Sequence, residues 1–195
     1  MTEQQSYLAT AFVSCSLRHE DKPFINLIER ILIQHRIKPI GTVGLYDVSP
    51  LNPAEHMRQN IPLADFVVIV ATTRYIQQDL HTGNITYGFS EMVHVETGMA
   101  FMAGKPVVVF AQEGTYIGGF LPNITEYIVI NGEQKDLIKK WESINTLLNN
   151  TYRIVIKNKE DESSKAFGNL IMKSIAIYGG YKIMESLFDE DKPNK

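Results

Sequence analysis

Hydrophobic and polar positions along this chain fall into blocks whose period switches between strand and helix. Ala11-Phe12-Val13-Ser14-Cys15-Ser16 is a short apolar run ending in small hydroxyl residues, which predicts a strand. From Lys22 to Arg36, Phe24, Ile25, Leu27, Ile28, Ile31 and Leu32 recur at helical spacing, with Pro23 suited to a first turn. Ile37-Lys38-Pro39-Ile40-Gly41-Thr42-Val43 predicts a second strand, and Pro39 argues for an edge or a strand start. Gly44 to Pro53 is rich in turn residues, and Pro53 to Ile61 predicts a short helix. Ala64 to Thr72 is almost continuously apolar, as a central parallel strand should be. Gln78 to Phe89 is polar and glycine-bearing, so a loop is expected. A helix around Glu96 and a strand from Pro106 to Ala111 follow.

Beyond Gln112 the pattern loosens. Tyr127-Ile128-Val129-Ile130 predicts a fifth strand, Leu137 to Leu148 a helix, and Arg153-Ile154-Val155-Ile156 a strand. Lys157 to Glu162 is a charged turn, and Ala166 to Phe188 a long helical pattern interrupted at Gly179-Gly180. Strands alternating with helices define an α/β fold with a parallel sheet. The expected division is an α/β domain over residues 1–132 and a C-terminal helical extension over 133–195, packed on the same domain.

In such sheets ligands bind beyond the carboxyl ends of the strands. Ser14 to Asp21, Gly44 to Pro53 and Thr72 to Ser90 gather at that edge, and the Glu96 helix opens onto it. At about 100° per residue, Met92, Val95, Met99, Met102 and Ala103 form one apolar stripe, the expected core face. Glu96 falls inside the stripe, roughly 40° from Met92 and 60° from Met99. A carboxylate there is costly unless it is paired or useful, and its place beside the crevice selects it as the candidate catalytic group.

The other candidates surround it. Ser14, Ser16 and Arg18 lie in the first loop, where they either hold phosphate or ribose hydroxyls or serve as a helix cap and a surface Arg. Tyr46 and Asp47 lie in the second loop, where an aromatic ring either stacks on a base or is an ordinary loop residue. Thr72 ends the third strand. Ser90 stands at the cap of the Glu96 helix, which is its simpler role unless it also touches a ribose. His94 projects opposite Met92 and is read as a surface residue.

Composition narrows the classes. With 195 residues, 44% hydrophobic and 21% charged, the chain can bury a full core. A net charge of −3 gives no electrostatic reason to expect nucleic acid as a partner. The single Cys15 suits a reducing compartment, and the first residues lack a basic signal-peptide start, so a cytoplasmic protein without membrane spans is expected. His56, His94 and Cys15 lack ligand spacing, so no metal is expected, and the missing glycine fingerprints argue against a Rossmann dehydrogenase or an NTPase.

Roughly Tyr7 to Gln112 resembles the TIR-like and nucleoside 2-deoxyribosyltransferase-like group of flavodoxin-type α/β domains. Phe12 to Ser16 with Arg18 and Asp21 is similar to the first strand and loop of TIR domains, and Ile61 to Val70 resembles the third strand of both families. Glu96-Thr97-Gly98-Met99-Ala100 followed by Gly104-Lys105-Pro106 resembles the Glu-x-Gly-x-Ala and Gly-Lys-Pro pattern of the transferases. The chain departs from both. TIR domains often carry a Trp-Cys pair before the Glu, where this chain has Val and His. The transferases bring Asp and Gly-Thr ahead of the helix, where this chain has Thr86-Tyr87-Gly88-Phe89-Ser90.

The resemblance implies a three-layer sandwich and a Glu at position 96 acting on an N-glycosidic bond. One implied activity is NAD hydrolysis or cyclisation to a signalling nucleotide, with NAD as substrate rather than cofactor and antiphage defence as the bacterial setting. Another is nucleoside deoxyribosyl transfer or N-glycosidase activity. A third is a non-catalytic adaptor or nucleotide sensor. It also implies a homo-oligomer, and the apolar Ala166 to Phe188 segment or its neighbours are the expected contact.

Overall fold

The computed structural model describes residues 7–41, 53–118, 121 and 125–158. Five strands form one parallel sheet: β1 (Ala9–Ser14), β2 (Ile37–Ile40), β3 (Phe66–Ala71), β6 (Val107–Gln112) and β7 (Tyr127–Ile130), in the order β2-β1-β3-β6-β7. Every adjacent pair is parallel, with Ser14 opposite Ile69 and Ile69 opposite Val109. This is the flavodoxin-like order, and the direction of winding reverses between β1 and β3. Pro39 lies in β2, an edge strand whose lost donor costs the ladder least.

Side-chain alternation divides the core into two layers. Ala11 and Val13 of β1, with Phe66, Val68, Val70, Val108 and Phe110, face α1 (Lys22–Gln34) and α4 (Gln134–Asn158). Phe12, Val67, Ile69, Val109 and Ala111 face α2 (Pro53–Asn60) and α3 (Glu91–Met102). The result is a three-layer flavodoxin-like sandwich. Gly41, just after β2, has φ +91°, and a Cβ there would lie 2.1 Å from the Phe12 ring. Its carbonyl oxygen is 3.1 Å from His56 Nε2, which ties α2 to the end of β2. Gly41→Ala combines strain with overpacking against a buried ring, and is expected to cost about 2 kcal/mol, read as a lower denaturation midpoint at unchanged slope.

Three expectations are corrected. Residues 78–89 are only partly a loop: β4 (Tyr75–Gln78) and β5 (Ile85–Gly88) form a separate antiparallel ribbon joined by a turn. Its turn is closed locally, with Asp79 accepting from the backbone N–H groups of His81 and Thr82 and Gly83 at φ +71°. Most of the ribbon is solvent-exposed, so its residues carry no burial pattern to read. Arg153 to Ile156 is not a strand but part of the 25-residue α4. Tertiary contact overrides the β-branched run: Thr151, Tyr152 and Val155 are buried, and the Tyr152 hydroxyl donates to the His35 carbonyl at the end of α1.

The third correction concerns α3. Its buried face is Val93, Thr97 and Ala100, whereas Met92 is 44%, Val95 49% and Met102 85% exposed. The helix is apolar nearly all round, so composition could not select the core side. Glu96 lies about 60° from Val93 and about 40° from Ala100, on the flank of the face that does pack. The segment Ala166 to Phe188 lies outside the described residues.

Candidate active site

β1 ends at Ser14, which the strand's alternation and register hold against β3; its side chain is 1% exposed. Its hydroxyl donates to Glu96 Oε2 across 82 positions of sequence. Glu96 is carried by a helix with well-defined ends. Ser90 stands at the N-cap, Glu91 lies in the favourable first turn, and Gly104 (φ +65°) followed by Lys105-Pro106 ends the helix. Thr97 fits the core face because its hydroxyl donates to the Val93 carbonyl at 2.6 Å.

Glu96 is partly buried. Removal from water pushes its carboxyl up to about 7, and the Ser14 hydrogen bond pulls part of the way back. Among the described residues no cation contributes to that shift. The group therefore sits near the midpoint of its titration at neutral pH, poised between carboxylate and acid.

Arg18 is engaged internally. Its Nε donates to Asp21 Oδ2 at 2.9 Å, one terminal nitrogen to Asp21 Oδ1 at 3.2 Å and to the Thr73 carbonyl at 2.5 Å, and the other lies 3.6 Å from Glu20. It thus straps the loop after β1 to the loop after β3. Ser16 Oγ accepts the Arg18 backbone N–H at 3.2 Å. Thr72 is buried at the end of β3. The Ser90 side chain does not cap α3; its carbonyl accepts from Val93 at 3.1 Å. His94 is exposed, with its ring centroid 4.7 Å from that of Phe89. Tyr46 and Asp47 lie outside the described residues.

The structure thus joins Ser14 directly to Glu96, places Ser90 at the start of the same helix, and ties Arg18, whose backbone N–H Ser16 accepts, to the Thr73 carbonyl next to Thr72. Sequence reasoning missed the stretch after β6. Thr115 Oγ1 lies 3.1 Å from Thr73 Oγ1, and the Tyr116 N–H donates to the Tyr87 carbonyl of the ribbon at 2.8 Å. Its place at the carboxyl end of a parallel strand was the signal that could have found it.

Among the described residues no group of three His, Cys, Asp or Glu is placed to hold a metal, and no helix is long and apolar enough to cross a membrane. Fold and site together define a flavodoxin-like α/β protein with the partly buried Glu96 carboxyl hydrogen-bonded at the carboxyl edge of its parallel sheet. No family model matches the chain, and neither does any curated protein. Among solved structures it is similar to the CMP N-glycosidase BcmB of Clostridium botulinum, with 16% sequence identity, coverage of 69% of this chain and 98% of that one, and a TM-score of 0.43.

Proposed function

We propose that this protein is an enzyme that breaks the ribosyl–base bond of a small nucleotide or nucleoside, with Glu96 as its catalytic residue. The observation that supports this most is the partly buried Glu96 carboxyl at the carboxyl edge of the sheet, hydrogen-bonded to Ser14 and pushed up to about 7, with no cation among the described residues holding its charge. A structural carboxylate is ordinarily paired or solvated; one kept half-desolvated beside a ligand edge costs stability and is positioned for chemistry.

Loss of the base leaves positive charge on the sugar, as in glycoside hydrolysis. Ionised Glu96 stabilises that oxocarbenium-like state or attacks its anomeric carbon, in a site where low dielectric strengthens the attraction. NAD is the substrate favoured by the sequence resemblance. Its nicotinamide departs as a neutral base with the bonding electron pair and needs no proton, so one carboxylate is enough. Water, or an internal nucleophile in a cyclisation, then bonds to the anomeric carbon, displacing the Glu96 carboxylate where that has attacked, and releases a proton. A bacterial defence role follows from the same resemblance.

The value of about 7 also favours a second reading, deoxyribosyl transfer or hydrolysis of a neutral nucleoside, because a half-protonated carboxyl can supply the proton a poorer leaving base requires. The two readings differ in pH dependence. NAD cleavage needs Glu96 ionised, so kcat/KM should rise with pH through about 7 and level off. A proton-requiring nucleoside reaction should fall again on the alkaline side. Incubation with NAD and, separately, with deoxynucleosides, followed by product mass analysis, tests the proposal. Free nicotinamide with ADP-ribose or its cyclic form supports the first reading, and free base or an exchanged nucleoside the second. No product from either, with Glu96→Gln leaving the biological effect intact, would favour an adaptor or sensor.

A further inference from the structure

We propose that Ser14 is a positioning residue that fixes the orientation and ionisation of Glu96, rather than a substrate ligand. The inference rests on the assignment of Glu96 as the catalytic carboxylate and adds how that carboxylate is controlled. Ser14 is fully enclosed at the end of β1, so its hydroxyl has little freedom to leave the contact. It spends its proton on Glu96 Oε2, which leaves Oε1 without a hydrogen bond to any described residue and available to face a sugar.

Among the described residues, Ser14 is the main polar control of the carboxyl. α3 packs on β3 and β6, and neither Phe66–Ala71 nor Val107–Gln112 contains a titratable side chain. Glu91 and His94 sit on exposed parts of α3. In the adjoining loop Arg18 is paired with Asp21, and on α2 His56 contacts the Gly41 carbonyl. Burial raises Glu96, and the Ser14 hydrogen bond is the opposing influence. A hydrogen bond to a charged group favours the ionised form, so its loss should raise the titration midpoint by about one pH unit.

The experiment uses the full chain labelled at glutamate side-chain carboxyls. Glu96 is titrated by NMR, with its signal assigned by comparison with Glu96→Gln, and the pH profile of turnover is recorded in parallel. In Ser14→Ala the Glu96 midpoint should rise by about one unit and kcat at pH 7 should fall about tenfold with KM little changed. Raising the pH should recover the ionisation part of that loss and leave the orientation part. Ser14→Thr keeps the hydroxyl, and should restore the midpoint and most of the turnover. An unchanged midpoint in Ser14→Ala, a loss carried wholly by KM, or a Ser14→Thr protein behaving like Ser14→Ala would each overturn the proposal. If the wild-type protein breaks no ribosyl–base bond, the titration still decides the coupling, and the reaction assigned to Glu96 falls alone. If Glu96→Gln is inactive while Ser14→Ala titrates as wild type, the coupling falls alone.

Discussion

Glu96→Gln is expected to lower turnover about a thousandfold or more while leaving the fold intact. Gln keeps the shape of Glu and an oxygen that accepts from Ser14, but it brings no charge to the developing cation at the sugar. Removal of one preorganised electrostatic partner typically costs 10²- to 10³-fold in rate, and a group that also acts as nucleophile costs more. Controls on the same helix sharpen the test. Glu91→Gln and His94→Ala alter exposed positions of α3 and should change turnover by less than about threefold, as surface substitutions away from a site usually do. Steady-state kinetics with the substrate found by product analysis decides the matter, and wild-type turnover by Glu96→Gln would remove the catalytic assignment.

The second large effect is on stability and has the opposite sign. The folded-state value of the Glu96 carboxyl, about 7, lies above its ordinary value of 4.5. Between those two pH values the folded state holds a proton that the unfolded state has released. Folding stability therefore falls as pH rises through this window, and the loss is complete above about 7. A shift of roughly 2.5 units corresponds to about 3 kcal/mol at most, less in practice because the carboxyl is only partly buried. Glu96→Gln carries no such penalty. It should be as stable as wild type near pH 4 and more stable by about 2 kcal/mol at pH 8. Denaturant melts of both proteins across that range test this, and parallel curves would mean that Glu96 is solvated in the fold. Gain of stability with loss of turnover in one substitution is the pattern of a strained functional group.

Much of the framework was legible because burial on both faces of a strand leaves a plain mark. Phe66–Ala71 reads as an unbroken apolar run because β3 lies at the centre of the sheet with helices on both sides. Pro39 reads as an edge residue because only an edge strand can spare its N–H. The helix α1 showed its packed side because one stripe of it is apolar and the rest is not. Glu96 was singled out as a carboxylate in an apolar helix opening onto the carboxyl edge of the sheet, although the methionine stripe that flagged it is not the face that packs.

Other features depended on contacts between distant parts of the chain. In α3 nearly every side is apolar, so the sequence could not choose between the methionine stripe and the Val93-Thr97-Ala100 face, and the sheet decided. In α4 the local preference of Arg153 to Ile156 for a strand yielded to burial of Tyr152 and Val155 beside α1. The β4–β5 ribbon buries too little to leave a pattern and is held by its turn and by the backbone bond from Tyr116. The partner of Glu96 was equally hidden. Ser14 was visible as a hydroxyl at a strand end, but its meeting with a carboxylate 82 residues away exists only because parallel pairing brings the end of β1 beside α3. Periodicity and composition determine which residues are buried and which groups are chemically able. The order of strands and the rotation of each helix on them determine which of those groups touch, because that choice is settled by packing between elements that share no local sequence.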